Sequence, residues 1–401
     1  MTLRRRGSGL VFLALASPLL ALDWPQWRGP ARHGISRETG WTAQWPAAGP
    51  KQLWKASVGT GLSGVSVAQG RLYTMGNDAE IDTVVCLDAV TGKLVWKHSY
   101  PCDPFDPNGY PGPRCTPTVD GDRVYTVSRL GHLFCFDAAT GKVIWAKELP
   151  KAYRAKPPKW GFAGSPLIEG KILLLEVGAK GAALVALDKV TGDEVWKAGD
   201  DAAGYSSPVT FAAGDTRVVA MLHAKALVGR RVTDGVELWR HPWKTDYDVN
   251  AATPIVSGDR IFISSGYGHG GALLHLGAGA PKVLWENKAM RNQMNACVLI
   301  DGHLYGFDEK VLTCLDFNTG AVKWTESKYG KGSLMAADGK LILLGDRGLL
   351  GTAQATPAGY REIASAQVIG GKDVWTVPVL ANGRIYVRSK ADLVGVDVGG
   401  K

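Results

Sequence analysis

The sequence predicts an all-β protein: an eight-bladed β-propeller of four-stranded antiparallel blades, closed by an N-terminal strand that completes the last blade. Three observations carry this expectation. A nine-residue motif, Asp-x-x-Thr-Gly-x-x-x-Trp, recurs along the chain. Strand–turn–strand units begin at eight places, 37 to 51 residues apart. A loose strand at each end of the chain supplies what the other end lacks.

The motif appears in full at Asp88/Thr91/Gly92/Trp96, Asp137/Thr140/Gly141/Trp145, Asp188/Thr191/Gly192/Trp196 and Asp316/Thr319/Gly320/Trp324. A variant runs from Asp234-Gly235 to Trp239, and Trp285 marks a degenerate copy. Asp can bond back to its own backbone to start a turn, and Gly takes the left-handed position that ends it. The Trp then falls in a strand, placed to bury a large apolar surface against a neighbouring sheet. Such turns account for much of the unusual content of 51 glycines and 14 tryptophans in 401 residues.

Ahead of each motif stands a small residue, often followed by Pro, and then a short apolar strand. These units begin near Val65, Thr116, Ser165, Ser207, Thr253, Ala296, Ser333 and Val377. Each holds about four short strands, the content of one blade. The last unit ends at Asp397-Val398-Gly399-Gly400-Lys401 without a Trp strand, while an orphan Trp strand, Gln52-Leu53-Trp54-Lys55-Ala56, precedes the first. Pairing the two closes the ring and removes the exposed sheet edges. The expected organisation is a signal peptide over residues 1–21, an extension packing on the propeller over 22–50, and a single propeller domain over 51–401.

Arg4-Arg5-Arg6 and the apolar run from Leu10 to Leu22 read as a targeting segment, too short to span a bilayer comfortably, with cleavage near Ala21. Both a general secretory and a twin-arginine signal fit the arginine run. A periplasmic or secreted monomer is expected, with no transmembrane segment after removal of the signal. The net charge of +9 is scattered, without a basic run of five, which argues against a nucleic-acid partner.

Six cysteines in an exported chain invite pairing. Cys86, Cys135 and Cys314 occupy one repeat position and read as small buried strand residues. Cys102 and Cys115 flank a Pro/Gly-rich loop and are the disulfide candidates, which leaves Cys297 unpaired and buried.

The repeated motif resembles the pyrroloquinoline-quinone (PQQ) type propeller repeat family, which includes quinoprotein alcohol dehydrogenases and the propeller lipoprotein of outer-membrane assembly. The resemblance runs from about Trp24 to the C-terminus. The opening Asp23-Trp24-Pro25-Gln26-Trp27-Arg28-Gly29-Pro30 is similar to the start of many exported members. Family dehydrogenases hold PQQ between a Trp and a ring of two adjacent disulfide-linked cysteines, beside calcium and a catalytic Asp. Here no two cysteines are adjacent, and there is no Cys-x-x-Cys-His for an attached haem domain. The lipid-anchor cysteine expected of the assembly lipoprotein is also missing. The resemblance therefore names a repeat and leaves the reaction open.

Other chemistry is sparse. The eight histidines lie at no metal-ligand spacing, and Asp246-Tyr247-Asp248-Val249-Asn250 starts like a calcium loop but lacks its Gly and final Glu. No catalytic residues and no metal site are assigned. Ligands of propellers generally use the funnel where loops lead into the inner strands. The candidates are the residues just before those strands: Arg114, Trp160, Tyr205, Asp248, Asn250, Asn295, Lys331 and Trp375. Trp24, Trp27 and Arg28 fit a structural cap equally well. The expected function is non-catalytic binding of an envelope protein, peptide or polysaccharide, without a cofactor. The alternative is PQQ- and calcium-dependent oxidation of an alcohol or sugar, with Trp160 or Trp375 as stacking floor.

Overall fold

The computed structural model describes residues 22–104 and 109–400. The expected signal peptide lies outside the described residues.

Eight sheets form the ring. Their inner strands are Ser66–Ala68, Thr118–Asp120, Leu167–Glu169, Val209–Ala213, Ile255–Ser257, Val298–Ile300, Ser333–Ala337 and Val379–Ala381, for blades one to eight in order. Each begins within a few residues of a predicted start. Every blade is antiparallel from inner to outer strand. Blade eight has only three strands of its own; its outer strand is Gln52–Ser57, antiparallel to Asp392–Asp397 with Trp54 opposite Gly395. The predicted closure is the observed one.

The turn chemistry is the same in the repeated copies. Asp88 Oδ1 accepts from the Val90 and Thr91 amides and from the Thr91 hydroxyl, at 2.7–3.1 Å. Gly92 then sits at φ +69°. The returning strand carries a bulge opposite Cys86/Leu87, and this sets Trp96 facing the next blade. There its Nε1 donates to Ala138 O at 3.0 Å. Trp54, Trp145, Trp196, Trp285 and Trp324 each repeat that bond onto the following blade. Trp239 covers Gly229 of its own blade and packs, partly buried, on the cluster shared with blade five. The core is accordingly a chain of clusters between neighbouring blades.

The small residue that opens each unit stitches the inner strands together. Ser165 Oγ accepts from the Thr116 amide, and Ser207 Oγ from the Ser165 amide. Ser66 and Thr118 donate to Pro117 O and Pro166 O of the following blades.

Residues 24–36 cross the axis of this ring. Trp24 bridges Val67 in blade one, and Pro25 O accepts from Val119 in blade two. Trp27 Nε1 reaches Thr253 of blade five at 2.8 Å. Ile35–Ser36 then adds in parallel to the inner strand of blade seven. Arg28 and Arg32 are buried inside the ring. Arg28 donates to Arg32 O, His33 O and Cys297 O, and Arg32 donates to Ser165 O and Pro166 O. Neither has a carboxylate partner among the described residues, and burial pushes their guanidinium pKa values down, to about 10 and about 9.

One expectation is corrected. Cys102 and Cys115 are both free thiols. Cys102 follows the outer strand of blade one, where Asn77 Nδ2 holds its carbonyl. Cys115 stands just before the inner strand of blade two, with its thiol donating to Thr116 O and its carbonyl bound by Ser63 Oγ. The two pack in different clusters. Cys86, Cys135 and Cys314 are free and buried, as read from the repeat, and so is Cys297.

Candidate functional site

A cavity of about 650 Å³ opens where the loops leading into the inner strands converge. Its floor includes Trp27, so the extension that crosses the ring also lines the site. Seven aromatic side chains face it: Trp27, Tyr110, Trp160, Tyr205, Tyr247, Tyr267 and Trp375. They meet in pairs. The Trp160 and Tyr205 rings are 5.7 Å apart edge to face, Tyr110 and Trp375 are 4.9 Å apart, and Tyr247 and Tyr267 are 5.9 Å apart.

Cations lie on these rings. Lys159 Nζ is 4.7 Å from the Trp160 ring centre and 5.7 Å from that of Tyr247. Lys331 Nζ is 5.4 Å from the Trp375 ring, and burial lowers its pKa. Lys390 lies 5.0 Å over Tyr110 and is paired with Asp373 at 3.0 Å. Burial pushes the Tyr205 phenol up to about 12, so it stays neutral and serves as a hydrogen-bonding edge. Polar groups with apolar backing complete the wall: Ser165, Ser207, Gln293, Asn295 and Thr376.

Of the eight residues expected at the funnel, Arg114, Trp160, Tyr205, Asn295 and Trp375 line this cavity. Lys331 lines a small recess beside it, with Glu309 and Asn295. Asp248 sits in a one-turn 3-10 segment at the rim, outside the lining. Asn250 is fully buried and structural: its Nδ2 donates to the carbonyls of His223, Ala224 and Trp243, and its Oδ1 accepts from Thr245 and Ser265. Choosing only the residues just before the inner strands left out Tyr110, Lys159, Tyr247 and Gln293, and Trp27 was read as a cap. Aromatic enrichment within the same loops was the available signal for Tyr110 and Tyr247; Lys159 and Gln293 had none. Tyr267 had no such signal, because it comes from the turn between two blade-five strands.

The described lining residues do not match a calcium-bound quinone. Among the described residues no Asp or Glu lines the main cavity, and no three His, Cys, Asp or Glu side chains are placed together to hold a metal ion. Calcium requires several oxygen donors, mostly carboxylates. Behind the Tyr205 wall, Glu176 and His223 form a buried pair at 2.6 Å. Gly204 N also donates to Glu176, so the pair is tied to the loop carrying Tyr205.

No curated protein matches the sequence. Solved structures share the fold at low identity. BamB from Moraxella catarrhalis is 14% identical, with a TM-score of 0.62, covering 87% of this chain and 98% of that one. A europium-containing methanol dehydrogenase is 13% identical, with a TM-score of 0.67, covering 93% and 89%. The quinohemoprotein alcohol dehydrogenase of Comamonas testosteroni is 14% identical, with a TM-score of 0.65, covering 95% and 81%. At such identity these likenesses establish the propeller alone. The sequence model for outer membrane protein assembly factor BamB matches residues 39–103 and 106–326, and the chain belongs to that PQQ-type propeller family.

Proposed function

We propose that this chain is an exported, non-catalytic binding protein that engages an envelope partner through the funnel. The observation that carries the reading is the composition of the cavity. Seven rings and the ring-stacked Lys159 converge on a concave site whose described wall carries no Asp, Glu, His or Cys. Rigid aromatics supply contact area at little conformational cost, and the hydroxyl and amide groups between them supply direction. Such a surface is suited to holding a segment of another molecule, whether of a protein, a peptide or a polysaccharide. The Arg-rich, apolar start of the sequence supports a periplasmic or secreted location.

Photo-crosslinking in the native host tests this. A benzophenone side chain replaces Tyr247, at the exposed mouth of the cavity, in one variant and Lys197, on an outer strand, in another. A discrete adduct from position 247 and none from 197 is expected. Adducts from 197 alone, or from neither, would overturn the reading.

A further inference from the structure

The charge at the base of the funnel is unbalanced. Arg28 and Arg32 lie within the ring directly after Trp27 in sequence, and their described partners are carbonyl oxygens only. Arg32 bonds the carbonyl of Ser165, a residue that itself lines the cavity. Its Nε is buried without a partner. Two guanidinium groups without a carboxylate partner are costly to hold in a low-dielectric interior unless an anion offsets them. Lys159 is exposed on the cavity wall, and no described lining residue of the main cavity is acidic. Walls of low dielectric concentrate this field into the funnel.

The remaining surface narrows the chemistry further. The inner-strand edges of blades one and seven already carry Trp24 and Ile35–Ser36, and the funnel wall presents side chains. It offers aromatic planes with hydroxyl and amide groups between them. Sugar rings use such surfaces by laying an apolar C–H face on the ring while their hydroxyls bond at the edges.

We propose that the funnel binds an acidic glycan, with a sugar ring on Trp160 or Trp375 and its carboxylate drawn by the charge of Lys159 and of the Arg28–Arg32 pair. This rests on the binding reading and names the class of its ligand.

Calorimetry with tetragalacturonate tests it, with the fully methyl-esterified tetramer as neutral counterpart and tetraglutamate as acidic peptide. Tetragalacturonate is expected to bind, the ester about tenfold or more weakly, and the affinity to fall as salt rises from about 50 to 300 mM. Lys159→Gln, an exposed position, is expected to weaken binding about fivefold with the melting temperature unchanged. Trp160→Ala is expected to abolish it. Equal binding of the ester would remove the role of charge. Tighter binding of tetraglutamate would overturn the glycan assignment and leave the funnel reading standing. Tetragalacturonate binding that survives Trp160→Ala would place the ligand elsewhere. Failure of all three probes would overturn the inference, while the crosslinks from position 247 report separately on the binding reading.

Discussion

The indole of Trp96 in blade one lies directly over Gly141 in blade two: a Cβ on Gly141 would come within 2.6 Å of that ring. The same overlap joins Trp54 to Gly92, Trp145 to Gly192, Trp196 to Gly235 and Trp285 to Gly320. The Gly of the motif thus meets two demands at once, a left-handed backbone at φ +73° and a surface flat enough for the preceding blade's Trp.

Gly141→Ala is expected to destabilise the protein by about 2–4 kcal/mol, since strain at positive φ and overpacking add. Gly121→Ala is the control: it has φ +60° but open space around its Cβ position. It should cost about 1–2 kcal/mol, the backbone share alone. Denaturant unfolding measures both. Equal losses at the two positions would show that the indole contact contributes nothing.

Trp54 closes the ring, donating to Ala89 O of blade one from a strand hydrogen-bonded to the C-terminal one. Trp54→Ala is expected to cost about 3–5 kcal/mol, through a cavity and a lost hydrogen bond at the seam. Hydrogen exchange should show the loss first in Asp392–Asp397 and Gln52–Ser57. Uniform loosening of all blades would contradict a localised seam.

Glu176 is pushed above its usual carboxylate range chiefly by burial; Asp201 adds repulsion, while His223 and the Gly204 amide partly offset it. The native state therefore keeps this proton to higher pH than the unfolded chain does. The contribution is fully present below the ordinary value of 4.5 and is lost as pH rises through the raised one. Wild type should lose stability relative to Glu176→Gln as pH climbs from about 4 to 7. Stability curves for the two proteins that stay parallel over that window would refute this.

All six cysteines are free and buried. Alkylation of native protein should be slow, since burial holds Cys102, Cys115 and Cys297 thiols up near 12. In denaturant without reductant, all six should react. A count two short would restore the Cys102–Cys115 bond.

The ring was legible because its determinants are local. Asp88 bonds Thr91 three residues on, so each turn announces itself, and Trp96 stands at a fixed distance beyond. The orphan strand at Trp54 and the short last blade were complementary defects of one repeat. Within the funnel, loop position identified Arg114, Trp160, Tyr205, Asn295 and Trp375 but could not say which way a side chain turns. Asn250 occupies an equivalent position and faces inward, because the carbonyls of His223, Ala224 and Trp243 converge on it. The path of Trp24–Ser36 through the ring depends on contacts with blades more than a hundred residues away, and no periodicity records those. Cys102 and Cys115 are close in sequence, yet adjoining blades draw them into different clusters.

Equilibrium dialysis of the purified protein against PQQ and calcium, followed by dye reduction with a panel of alcohols and sugars, tests the central claim most directly. A non-catalytic funnel without carboxylates along the described wall of its main cavity should retain no stoichiometric quinone and reduce no dye. Calcium-dependent retention at one quinone per chain, with substrate-driven dye reduction that Trp160→Ala or Trp375→Ala abolishes, would contradict it.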